Sequence, residues 1–163
     1  MITIIIGTNR PNSNSRKVAE RLLSAYQRNK VEAQLLDLGE LPTDIFTPEV
    51  YSKRPESMTP FVEMILSSDG LHVVTPEYNG GFPGILKYFI DLLPFPESFA
   101  GRPVAFTGVA AGQFGALRPV EQLQQLFSYQ NALLFPTRVF AMGIGISRVE
   151  AGPVADEKLE APL

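Results

Sequence analysis

The chain has 163 residues, 45% of them hydrophobic and 19% charged, with a formal net charge of −3. That suffices for a single domain with one core, residues 1–163, and the mild acidity does not suit a nucleic-acid surface, which needs a basic excess. Cysteine is absent and His72 is the one histidine, which excludes disulfides, thiolate nucleophiles, Cys-based clusters and His-rich metal sites.

The apolar run Ile2–Ile6 reads as the first strand. It is too short for a signal peptide or a membrane span, so no membrane association and a cytoplasmic location are expected. The stripe Val18, Ala19, Leu22, Leu23 and Tyr26 predicts a helix. A second strand is expected over Glu32–Leu38. The Pro-rich stretch Leu41–Pro60 follows as a long connection, a candidate functional or interface loop. Phe61, Ile65 and Leu66 mark a weak second helix, and Gly70–Thr75 a third strand. Phe82, Leu86, Phe89, Ile90 and Leu93 mark a third helix; Ile85 and Leu92 lie outside that stripe, which predicts a deeply buried or interface helix. Val104–Gly108, the stripe Leu117, Val120, Leu123 and Phe127, and Leu133–Met142 complete the pattern. The closing stretch "SRVEAGPVADEKLEAPL" leaves room for about two helical turns between its prolines.

Strands and helices alternate throughout, and the first and third strands are almost continuously apolar. Both features predict an open, doubly wound α/β sheet with parallel strands covered on both faces. Ligands in such folds sit beyond the carboxyl ends of the strands. Three segments fall there: Gly7–Ser15, Thr75–Phe82 and Gly108–Leu117.

The first of these opens a helix with Arg16 and Lys17 and has no acid before Glu20. Cations near a helix N-terminus oppose its partial positive charge. Two readings fit: a bound anion that reverses the sign, or a turn whose charges are solvated. The anion reading has suitable donors in the hydroxyls of Thr8, Ser13 and Ser15 and the fork of Arg10. There is no GxxxxGK[ST] and no GxGxxG after the first strand, which excludes a P-loop and a dinucleotide fingerprint.

The second segment, "TPEYNGGFPGILKYFIDLL", is more specific. Thr75, Pro76, Glu77, Tyr78, Asn79, Pro83, Gly84, Leu86, Lys87, Ile90, Asp91 and Leu93 stand in a fixed pattern. Gly7, Thr8, Arg10 and Ser13 precede it, and Gly112, Gly115 and Arg118 follow at suitable spacing. Together these resemble the NADPH-dependent FMN reductase family, flavodoxin-like quinone, azo and chromate reductases, over residues 2 to about 130. Ala116 stands where that family's third loop carries glycine.

The resemblance implies a flavodoxin-like three-layer sandwich with strand order 2-1-3-4-5 and a homodimer or homotetramer. It implies FMN as cofactor and NAD(P)H as reductant, with flavins, quinones, azo compounds or similar small molecules as acceptors, reached by a ping-pong route. By the same resemblance Thr8, Arg10, Ser13 and Ser15 hold the FMN phosphate. Pro76, Glu77, Tyr78 and Asn79 line the isoalloxazine edge, and Gly112 and Gly115 close its other side. No catalytic side chain is implied, because the flavin carries the chemistry. His72, inside a strand, is expected to be a hydrogen-bonded core or interface residue rather than a catalyst. The alternatives are a flavodoxin-type electron carrier and a non-enzymatic dimeric member of the family.

Overall fold

Every strand pairing in the structure, a computed structural model described over residues 1–143, is parallel. The elements run β1 (Ile2–Ile6), α1 (Asn14–Arg28), β2 (Ala33–Asp37), α2 (Thr59–Leu66), β3 (Gly70–Pro76), α3 (Gly84–Asp91), β4 (Pro103–Val109), α4 (Leu117–Tyr129) and β5 (Leu133–Ala141). The sheet order is β2-β1-β3-β4-β5, as the resemblance implied. The expected two-turn segment near the carboxyl terminus lies outside the described residues.

The two faces of the sheet explain the apolar strands. Ile5, Val73 and Phe106 point into a core shared with α2, α3 and α4, while Ile4, Ile6, Val74 and Val109 meet Val18, Ala19 and Leu22 of α1. Neighbouring residues of β1 and β3 therefore both need apolar side chains. Leu92, outside the α3 stripe, is buried.

The Leu41–Pro60 connection turns out to be a core element. It folds as three short 3-10 turns, Thr43–Ile45, Pro48–Tyr51 and Glu56–Met58. Leu41, Ile45, Val50 and Met58 anchor it in the core against α2 and α3. The Tyr88 hydroxyl of α3 donates to the Ile45 carbonyl at 2.5 Å, and Phe46 stacks on the Tyr88 ring at 5.4 Å between centroids. This loop covers α3 and lines neither of the cavities at the strand ends.

Candidate active site

At the carboxyl ends of β1, β3 and β4, the three loops expected to carry chemistry converge. The first begins where β1 ends. Asn12 takes a left-handed φ of 53°, which turns the chain so that Ser13 becomes the N-cap of α1. The Ser13 Oγ accepts the Arg16 N–H at 3.1 Å. Arg16 then points away from the loop: its guanidinium pairs with the Asp37 carboxylate at the end of β2 and lies 3.5 Å from Glu40. Acids of the protein itself thus answer the Arg16 charge. Arg10 and Lys17 line a cavity beside the first turn of α1, a turn that holds no acid of its own.

A cavity of about 280 Å³ opens there, lined by residues 10–15 and Lys17 of the first loop, Pro76, Glu77 and Tyr78 of the second, and Val109, Ala110 and Ala111 of the third. Ser15 lines it while only 1% exposed, and its Oγ has no hydrogen-bond partner in the protein. A buried hydroxyl left unpaired costs roughly 1–3 kcal/mol. Its position in the first turn of α1, beside Arg10, suits an anionic oxygen.

The second loop is a tight hairpin. Tyr78 and Gly81 exchange backbone hydrogen bonds of 2.9 and 3.1 Å, with Asn79 (φ 52°) and Gly80 (φ 80°) at the two central positions. Two consecutive positive φ values demand an Asn-Gly pair, the favoured sequence for a two-residue turn. The turn carries Asn79 to an exposed tip outside the cavity lining and leaves Tyr78 at the cavity wall. The Tyr78 hydroxyl lies 2.8 Å from Thr8 Oγ1. Thr8 itself is buried and does not line the cavity.

A second cavity of about 300 Å³ shares Glu77, Ala110 and Ala111 with the first and is completed by Gly112, Phe114, Gly115 and Arg118. Glu77, mostly buried, accepts from the Arg118 guanidinium at 3.2 Å, so the second loop is tied to the start of α4. Arg118 also stands 6.0 Å from the centre of the exposed Phe114 ring. Gly115 (φ 54°) and Ala116 (φ 68°) are both left-handed. The glycine is required, since a Cβ on Gly115 would lie 2.7 Å from Phe140 and Met142. Ala116 adopts the conformation its family position favours for glycine, at an alanine's steric cost.

Arg10, Ser13, Ser15, Pro76, Glu77 and Tyr78 therefore meet around the first cavity, and Gly112 and Gly115 around its extension. Thr8 and Asn79 flank the space without lining it. Lys17, read from the sequence only as a cation of the helix start, lines it together with Ala110, Ala111 and Phe114. Arg118 belonged to the third-loop pattern, which was its signal; for Phe114 there was none.

His72 lies elsewhere. It is buried in β3, with Nδ1 2.9 Å from the Tyr26 hydroxyl and Nε2 2.8 Å from Thr107 Oγ1. Burial pushes its pKa down to about 4, and burial raises that of Tyr26. It is the hydrogen-bonded core residue expected from its strand position.

The profile of the NADPH-dependent FMN reductase family matches residues 1–146. The chain is similar to a 2-hydroxy-1,4-benzoquinone reductase of a Burkholderia species, at 29% identity over 92% of this chain and 82% of the relative. It is similar to a quinone reductase of Pseudomonas putida, at 34% identity over 74% and 67%. Among solved structures it resembles FerB, a flavoenzyme NAD(P)H:(acceptor) oxidoreductase of Paracoccus denitrificans, with a TM-score of 0.72, 26% identity, and coverage of 84% of this chain and 76% of that one.

Proposed function

The chain belongs to the NADPH-dependent FMN reductase family, and on that premise we propose that its two adjoining cavities hold one FMN and that it reduces quinones, flavins, azo compounds or similar small acceptors with NAD(P)H. The observation that carries this reading is Ser15. The residue lines a cavity at the N-terminus of α1 next to Arg10, and its buried Oγ has no hydrogen-bond partner in the protein. That is a donor set made for a phosphate.

In this reading Arg10, Ser15 and the first-turn N–H groups of α1 bind the phosphate, and Ser13 holds the cap that aims those N–H groups. Pro76, Glu77 and Asn79 border the flavin ring on one side, with Gly112 and Gly115 on the other. The Glu77–Arg118 pair fixes the distance between the second and third loops. Backbone N–H groups of the Gly112 loop would stabilise negative charge on a flavin held there, as donors in an oxyanion hole do. The bound flavin supplies hydride acceptance and electron delivery, the part of the reaction for which this chain offers no side chain. Phe114 and Arg118 leave an exposed aromatic face and a cation beside the second cavity. Nicotinamide and acceptor use that opening in turn, which gives ping-pong kinetics.

The partner is a second copy of the chain. Support comes from the exposed aromatic cluster over α3, where Phe46 is 54% and Tyr51 66% exposed beside Tyr88. No described helix is long and apolar enough to cross a membrane, and we place the enzyme in the cytoplasm. An FMN titration of the Arg10→Ala variant tests the site: affinity should fall by about 1.5–3 kcal/mol, the scale of a charge-assisted hydrogen bond. Unchanged affinity removes Arg10 from the site.

A further inference from the structure

The Thr8 hydroxyl offers a different role from the ligand contact that the sequence suggested. It is 1% exposed, and Oγ1 has two partners, the Arg10 N–H at 3.2 Å and the Tyr78 hydroxyl at 2.8 Å. The Arg10 N–H occupies one lone pair of Thr8. If Tyr78 donated to Thr8, the Thr8 proton would remain inside the protein without an acceptor, which is unfavourable. With Thr8 as donor, its buried proton has an acceptor in Tyr78 while its oxygen still accepts from Arg10. Tyr78, which is 37% exposed and lines the cavity, then keeps its own proton for that cavity.

We propose that Thr8 is a positioning residue that turns Tyr78 into a hydrogen-bond donor for the phosphate end of the bound flavin. The inference rests on the FMN reading above. The chain of donors runs from the Arg10 backbone through Thr8 to Tyr78, and each link fixes the next. Tyr78 is held from two directions. Its backbone is set by the Asn79-Gly80 turn and its hydroxyl by Thr8, so the second loop is registered against the first. The hydroxyl end of Tyr78 sits against the first loop, the loop that carries Arg10 and Ser15. That is why the phosphate end is assigned to it rather than the ring.

The test is a double-mutant cycle read by quenching of flavin fluorescence, with FMN and with riboflavin, which lacks the phosphate. Thr8→Val and Tyr78→Phe should each weaken FMN about tenfold. The double variant should be no weaker than the weaker single, because both remove one interaction. Thr8→Ser, which keeps the hydroxyl, should stay within about twofold of the parent. Riboflavin affinity should be the same for all four variants. Melting curves identify any variant that fails to fold; if Thr8→Val does, Thr8→Ser against Tyr78→Phe still carries the comparison. Losses that multiply in the double variant, FMN affinity unmoved by Tyr78→Phe, or an equal loss for riboflavin would each overturn the proposal while leaving the FMN reading intact. A parent chain that does not bind FMN refutes the reading itself.

Discussion

His72 makes stability depend on pH in a calculable way. Its ordinary pKa of 6.5 falls to about 4 in the folded protein because the ring is buried between α1 and the sheet. The unfolded chain therefore binds a proton between these values while the folded chain does not. Stability contributed by the neutral ring is fully present above pH 6.5 and is lost as pH falls toward 4. A drop of this size corresponds to roughly 3 kcal/mol, with roughly 2 kcal/mol of it gone by pH 5. Against a total of about 5–15 kcal/mol for a domain, that is a large share. Urea unfolding at pH 7.5, 6, 5 and 4 measures it, with His72→Gln as the control. The variant loses hydrogen bonds and stability at every pH, but its stability should fall less steeply between pH 6.5 and 4, by about the His72 contribution. Identical pH slopes for the two proteins would show that His72 does not titrate as its burial dictates.

Three further outcomes follow from the loops. Ser15→Ala should leave the ligand-free protein as stable or up to about 1 kcal/mol more stable, since it removes an unpaired buried hydroxyl, while weakening FMN binding by about 1 kcal/mol; melts and FMN titrations of one preparation compare the two signs. Gly115→Ala should cost at least about 2 kcal/mol in urea unfolding, because it combines a left-handed φ with a 2.7 Å contact to Phe140 and Met142. Arg118→Ala should change stability by less than about 1 kcal/mol, as expected of a half-exposed pair, so that any larger loss of turnover in a steady-state assay reports on the site rather than on folding.

The α/β class and the order of elements were legible because both of their signals are local, while the strand order came with the family resemblance. β1 and β3 needed apolar residues on both faces, and α1, α3 and α4 needed one stripe each; these demands appear directly as runs and periods. The Leu41–Pro60 stretch was harder to read. Its four buried residues are spaced by turns rather than by a period, so the pattern resembles a loop even though the segment packs into the core. In the site, the glycine, proline and Asn-Gly positions were readable because they reflect backbone geometry. Side-chain direction was not. Arg16 looked like a cation left at a helix start, yet it reaches Asp37, 21 residues along the chain. Thr8 looked like a phosphate donor, yet its hydroxyl goes to Tyr78, 70 residues away. Both partners are set by strand pairing, which no window of sequence contains.

This chain is read throughout as an FMN-dependent NAD(P)H oxidoreductase. The visible spectrum of the purified protein with added FMN, recorded anaerobically before and after NADPH or NADH, tests it most directly. FMN should stay with the protein through gel filtration, its absorbance near the flavin band should bleach when the nicotinamide is added, and a quinone should restore it. FMN that elutes free of the chain, or bound FMN that neither nicotinamide bleaches, would contradict it.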